Sequence, residues 1–325
     1  INHLESIIEW LSPEINNLNS IILDLMSNNL PLISKLTNHI LSSGGKRIRP
    51  ILTLACSKLC NYSGDRHIKM ASIIEFIHTA TLLHDDVVDN SKKRRGKTTA
   101  NFVWDNKSSI LVGDYLLSRA FKMLINDGSL RCLDIVSKAS VKISEGEVKQ
   151  LMAANNFKTS ETDYLDIIIH KTAELFSAAC EISAEISGMN EESKKSLADF
   201  GKYTGIAFQI IDDTLDYFSV SGKSGKDTGN DLKEGKMSLP LIICFQRCSI
   251  EEKRLMEIII RKKTFDNDDF IKILNLMKKY NVEQDCINKA KHFSIMAKDS
   301  LGRFPDSDSK EKIINLVDFL SERRI

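Results

Sequence analysis

The sequence lacks any uninterrupted apolar run long enough to cross a bilayer, so none of its 325 residues is expected to form a transmembrane helix. It lacks a strong charge balance of either sign: the formal net charge is +1, which argues against bulk nucleic-acid binding. It is also poor in proline, with five in all and none between Pro50 and Pro240. A stretch that long without proline has nothing to break its helices. No strong hairpin signal appears, and β-branched residues are dispersed rather than gathered into alternating runs. The opening "INHLESIIEWLSPEINNLN" mixes acids and amides into its apolar pattern and does not read as a signal peptide. The chain starts at Ile1 rather than Met, so a few residues are expected to precede it.

Seven cysteines, an odd number scattered through apolar segments, give no disulfide framework and suggest a reducing cytoplasm. Cys56/Cys60 and Cys244/Cys248 have i,i+4 spacing and would form a four-thiolate zinc site if they met. The stronger reading makes them small buried apolar residues on helix faces.

What is present is helical periodicity. Segments such as "ASIIEFIHTATLLH", "SILVGDYLLSRAFKMLI" and "LADFGKYTGIAFQIIDDTLDYF" repeat apolar residues at helical spacing. Breaks fall at "SSGGKRIRP", "CNYSGDRH", "NDGS", "SGMNEES" and "RFPDSDS". One break is long, the segment after Tyr217, and its length marks it as functional. Length alone suggests about two domains. With no linker, repeat or low-complexity tract, however, residues 1–325 read as one all-α bundle.

Two acidic clusters stand out. Asp85, Asp86 and Asp89 form a DDxxD pattern, with residues 85 and 89 on one helical face. Alone, this reads equally well as a solvated helix end. The same spacing recurs at Asp212, Asp213 and Asp216, again after a strongly apolar run, and this favours a metal cage. Hard divalent cations such as Mg²⁺ suit carboxylates shared with a diphosphate. Basic residues complete the pattern: Lys46, Arg47 and Arg49 in "GGKRIRP", and Arg94 and Arg95 after the first cluster, are suited to phosphate oxygens. Gly44 and Gly45 would let the backbone approach one closely. The competing reading of "KKRRGK" as a nucleic-acid patch is disfavoured by the adjacent carboxylates. "SGKSGKDTG" resembles the end of a P-loop, yet Tyr217 stands where its first glycine belongs.

With these residues the sequence resembles the trans-isoprenyl diphosphate synthases, the polyprenyl synthetase family. The matching motifs are "GGKRIRP", "LLHDDVVDNSKKRRGKTTAN", "EGEVKQL", "HKTAELF", "GIAFQIIDDTLDYF" and "GKDTGNDLKEGKMSLPLI". They run in family order from Ser42 to Ile243 and are most similar to long-chain bacterial members that make the octaprenyl tail of ubiquinone. The resemblance implies an all-α isoprenoid synthase fold around a deep central cavity, and a homodimer. It implies that Asp85, Asp89 and Asp212 hold Mg²⁺ on an allylic diphosphate, with Asp86, Asp213 and Asp216 in support. Arg94, Lys171, Thr172, Gln209, Lys226 and Lys236 would bind that diphosphate. Lys46, Arg49, His78 and Arg95 would bind isopentenyl diphosphate, and Phe208 would wall the reacting carbons. No motif residue departs from the family pattern, which disfavours a non-catalytic subunit of a heteromeric synthase.

Product length is expected to depend on residues just before Asp85. Thr81 and Ala80, four and five residues earlier, are small, with Ile77 and Ile74 deeper. Early-stopping family members carry aromatic rings there, so a long, octaprenyl product is expected. Phe76, Phe121 and Met123 are candidate deeper stops. A product this apolar implies peripheral contact with a membrane, and no nucleic-acid partner is expected. Arg323 and Arg324 read as a solvated helix end.

Overall fold

The computed structural model describes residues 3–26, 30–42, 45–94, 96–219, 229–262 and 266–321. Gly44, Arg95, Lys226, Arg323 and Arg324 lie outside the described residues. The chain enters through α1 (His3–Trp10), α2 (Ser12–Met26) and α3 (Pro31–Ser42). Next come α4 (Ile48–Leu59), α5 (Arg66–Val88) and a short α6 (Ala100–Val103). Two long helices follow, α7 (Asn106–Asp127) and α8 (Leu130–Ala153). Helix α9 (Glu161–Ile168) continues through a π-helical turn, Ile169–Ala173, into α10 (Glu174–Ile186). Helix α11 (Glu191–Phe218) is the longest, and α12 (Asn230–Lys233), α13 (Leu239–Arg247) and α14 (Ile250–Ile260) come after it. The chain closes with α15 (Asn267–Lys279), α16 (Val282–Ser300) and α17 (Asp308–Ser321).

The expected all-α class is borne out, and helices start and stop where the sequence supplies the chemistry. Asp105, Ser129, Asn190 and Asp266 each accept a backbone N–H of the first turn they cap. Ser160/Asp163 and Ser249/Glu252 form complete capping boxes. Gly128 ends α7 at φ 80°, a backbone state that glycine adopts readily.

One small departure is a two-residue antiparallel pair, Lys93–Arg94 with Lys97–Thr98, closed through Gly96 at φ 79°. A pair this short is not found by a search for long alternating strands.

Helix α5 is apolar on nearly all sides, as a helix enclosed by neighbours must be. It packs against α4, α7 and α10, while α11 packs against α10 and α16. Two apolar clusters result. Leu197 and Phe200 of α11 belong to the first, which includes α5, and Ile206, Ile210 and Tyr217 belong to the second. Tyr203 packs against both. Helices α5 and α11, the two carriers of acidic motifs, are thus each packed against several neighbouring helices.

Candidate active site

Both acidic motifs sit at helix C-termini. Asp89 is the C-cap of α5, and Asp216 lies in the last turn of α11. The negative end of a helix dipole repels carboxylates, so each motif calls for cationic partners. At the first motif two lysines supply them. Lys171 Nζ lies 2.8 Å from Glu147 and 3.7 Å from Asp85. Lys236 Nζ lies 2.9 Å from Asp89 and 2.6 Å from Glu234. Burial draws both lysine pKa values down, but the surrounding carboxylates outweigh it and the net direction is upward, keeping both amines charged.

The middle acid of each motif is buried and engaged by protein donors. Asp86 Oδ1 accepts from Arg94 Nε at 2.9 Å and from its Nη2 at 2.8 Å. Burial raises the Asp86 pKa, with Arg94 opposing. The main chain there is tied down as well, since Asn101 Nδ2 donates to Asp86 O at 3.2 Å. Asp213 is held from both sides: Tyr164 Oη donates to Oδ2 at 2.6 Å and Gln209 Nε2 to Oδ1 at 2.7 Å. Burial lifts its pKa to about 7. Asp216 accepts from the backbone N–H groups of Asn230 at 3.3 Å and Asp231 at 3.0 Å. It thereby anchors the start of α12, where the long segment after α11 returns.

Thr172 and Lys171 reach the site because the π turn re-aims the chain between α9 and α10, a device common at functional positions. Gly146 of α8 makes room for it: a Cβ there would lie 2.6 Å from the Lys171 backbone nitrogen. Thr172 Oγ1 donates to Gln209 Oε1 at 2.8 Å. Lys171, Thr172, Gln209, Asp213 and Lys236 line one cavity of ≈ 90 Å³.

A second group gathers residues expected at the other substrate. Arg49 Nη1 is 3.1 Å from His78 Nε2, and its guanidinium lies 4.6 Å from the centre of the Phe176 ring. Phe176 in turn packs on Phe208 at 5.4 Å between ring centres. Lys46 lies over the Phe319 ring of α17 at 4.6 Å. Ala80 and Ile77 are buried, whereas Thr81 is partly exposed and donates its hydroxyl to His78 O at 2.7 Å.

Glu147, Tyr164, Asp231 and Asn101 were missing from the sequence-based site. Glu147 and Asp231 fall inside the motifs "EGEVKQL" and "GNDLKEG", so their location was signalled and their role was not. Asp231 is half-buried near Asp216 and Asp213, and its pKa is raised, by loss of solvent first. The zinc reading of the cysteines does not materialise: Cys56 lies in the first apolar cluster and Cys244 and Cys248 in the second. Cys56 meets Cys180 instead, and Cys244 Sγ lies 3.9 Å from Cys248 Sγ.

Among the described residues, no group of three or more His, Cys, Asp or Glu side chains could hold a metal ion by itself. This donor set fits Mg²⁺ shared with a diphosphate, because Mg²⁺ takes one or two carboxylates and completes its shell with water and phosphate oxygens. A structural zinc site, by contrast, would need four converging protein ligands.

An all-α bundle with a carboxylate motif at the end of each of two helices and lysines lining a cavity defines a prenyltransferase of the isoprenoid synthase type. Residues 30–277 match the family model for polyprenyl synthetase, and the chain belongs to that family. An octaprenyl diphosphate synthase of Escherichia coli (strain K12) is 44% identical over 260 residues, 80% of each chain. The structure of a decaprenyl diphosphate synthase from Rhodobacter capsulatus superposes with a TM-score of 0.94 at 41% identity, covering 98% of this chain and 99% of that one. A polyprenyl synthase structure from Caulobacter crescentus CB15, in complex with calcium and isoprenyl diphosphate, gives a TM-score of 0.95 at 38% identity. That match covers 99% of this chain and 98% of the other.

Proposed function

We propose that this protein is a long-chain all-trans polyprenyl diphosphate synthase. It condenses isopentenyl diphosphate repeatedly onto an allylic diphosphate, with farnesyl diphosphate as primer and octaprenyl diphosphate, for the ubiquinone side chain, as product. The observation that carries the reading is the pair of acidic motifs at the ends of α5 and α11, with Lys171 and Lys236 pairing with the first motif and lining the cavity that Asp213 of the second also lines.

Asp85, Asp89 and Asp212 would hold Mg²⁺, which when bound supplies positive charge to the departing diphosphate. Lys171, Thr172, Gln209 and Lys236 bind the allylic diphosphate oxygens, joined by Arg94 and, from outside the described residues, Lys226. Arg94 also pairs with Asp86, which ties the Lys93–Arg94 strand to the end of α5. Arg49 and His78 hold isopentenyl diphosphate, with Lys46 and Arg95 as further cations. The allylic C–O bond breaks with its electron pair leaving on the diphosphate, the isopentenyl double bond attacks the allylic carbon, and a proton passes to the departed diphosphate to restore a double bond. No side-chain nucleophile enters. Phe176 and Phe208 wall the reacting carbons, and an apolar wall keeps water from the cation. Ala80 and Thr81 leave room for repeated additions, with Ile77 below them.

The working form is proposed to be a homodimer of one-domain chains spanning residues 1–325. Exposed Leu111 and Ile125 of α7 and Val141, Val148, Leu151 and Met152 of α8 support this, since apolar side chains this exposed suit a second copy of the chain. No helix among the described residues is long and apolar enough to cross a membrane, and all seven cysteines are free. A cytoplasmic enzyme that touches the membrane through its product accommodates both observations.

Incubation with labelled isopentenyl diphosphate, farnesyl diphosphate and Mg²⁺, followed by product sizing, tests the reading. Octaprenyl diphosphate is expected. Products that stop at geranylgeranyl diphosphate would place the protein among short-chain synthases. Binding without elongation would make it a partner subunit.

A further inference from the structure

Tyr164 lies on α9, seven residues before Lys171, and its ring is almost wholly buried (2% exposed). Its hydroxyl occupies one oxygen of Asp213 at 2.6 Å, and Gln209 Nε2 occupies the other at 2.7 Å. With each oxygen bound by a protein donor, Asp213 serves as an anchor. The same Gln209 side chain accepts from Thr172 Oγ1 at 2.8 Å. An amide whose oxygen takes one bond and whose nitrogen gives another has only one of its two flip states available. Its second N–H is left for an external acceptor. Tyr164, Thr172, Gln209 and Asp213 all line the ≈ 90 Å³ cavity that Lys171 and Lys236 also line. An anion there meets two ammonium groups and an amide N–H whose direction is set from behind.

We infer that Tyr164 is a positioning residue for the allylic diphosphate: through Asp213 it fixes the orientation of Gln209, and with it Thr172, toward the diphosphate oxygens. The inference rests on the functional reading above. Tyr164 touches no substrate atom in this scheme. Its hydroxyl matters because an unheld Asp213 can swing, which lets the Gln209 amide rotate and lose its alignment.

Tyr164→Phe keeps the ring and removes only the hydroxyl. Calorimetric titration with inorganic pyrophosphate and Mg²⁺, together with KM for each substrate, reads the effect. Pyrophosphate affinity should fall about tenfold, the loss of one well-placed hydrogen bond. The KM for farnesyl diphosphate should rise in parallel while that for isopentenyl diphosphate stays unchanged, because Arg49 and His78 form a separate group. In a Gln209→Ala background, Tyr164→Phe should have little further effect on pyrophosphate binding. Asp213→Asn, which keeps the side-chain shape, should reproduce the pattern if Tyr164→Phe does not fold. A lower melting temperature with unchanged pyrophosphate affinity would overturn the positioning role, as would equal rises in both KM values. A wild-type protein that binds no pyrophosphate would overturn the functional reading as well, so the two failures are distinguishable.

Discussion

Replacing Glu147 by Gln isolates one electrostatic conflict in the site. The Glu147 carboxylate is withdrawn from water and faces Asp85, which raises its pKa from the ordinary 4.5 to about 7 even with Lys171 Nζ 2.8 Å away. In the metal-free protein, the folded state therefore keeps a proton that the unfolded chain releases near pH 4.5. The stability contributed by that proton is full below about pH 4.5, falls as pH rises toward about 7, and changes no further above it. A span from 4.5 to about 7 corresponds to a ceiling of about 3 kcal/mol. Glu147→Gln is neutral throughout and should lose nothing across that window. Urea unfolding in EDTA, followed by far-UV circular dichroism from about pH 5 to about pH 8, measures both proteins. Wild type should drop relative to the variant by up to about 3 kcal/mol between the two ends. Asp213 and Asp231, also raised by burial, give slopes of the same sign, and the difference between the two proteins cancels them. Parallel pH profiles would refute the reasoning.

Ala80→Phe places a ring against the buried side of α5, five residues or about 7 Å of helix before Asp85. Product sizing should show mainly short chains, with an overpacking cost of about 1–3 kcal/mol, and an unchanged octaprenyl product would contradict the geometry. Gly146→Ala pushes a methyl into the Lys171 backbone. Its turnover should fall at least tenfold, by roughly 1.4 kcal/mol or more, and wild-type turnover would mean α8 can shift without disturbing the π turn. Asp127→Ala removes a carboxylate that takes two bonds from Arg66, at 2.8 and 2.7 Å, joining α7 to α5. Urea unfolding should register a loss of about 2 kcal/mol, whereas a loss below about 0.5 kcal/mol would show the pair to be no stronger than an ordinary surface bridge.

Helical periodicity and the Gly-, Ser- and Asn-rich breaks were enough to read the bundle, because burial patterns and caps are written locally. The acids of both motifs were legible from their repeated local spacing, whereas Lys171, Thr172, Gln209 and Lys236 entered only through the family resemblance of the runs that carry them. What escaped were roles that arise only from contact between distant segments. Tyr164 meets Asp213 across 49 positions and carries no local mark of that meeting. Glu147 becomes a partner of Lys171 only because a π turn and Gly146 bring α8 against it. The hairpin after α5 depends on a single left-handed glycine, too short for any periodicity to reveal. Arg94 and Arg95 read as grips on two different diphosphates; the Arg94 pairing with Asp86 carried no local mark, and Arg95 falls outside the described residues.

Counting Mn²⁺ ions bound per chain, with and without inorganic pyrophosphate, tests most directly whether the two acidic motifs act as one site. Because no three carboxylates converge among the described residues, metal binding should be weak alone and should strengthen sharply when pyrophosphate is added. Asp85→Ala and Asp212→Ala should each abolish that gain, since each motif supplies part of the same metal–diphosphate assembly. Tight Mn²⁺ binding without pyrophosphate, or a pyrophosphate-dependent gain that survives either substitution, would contradict a shared site.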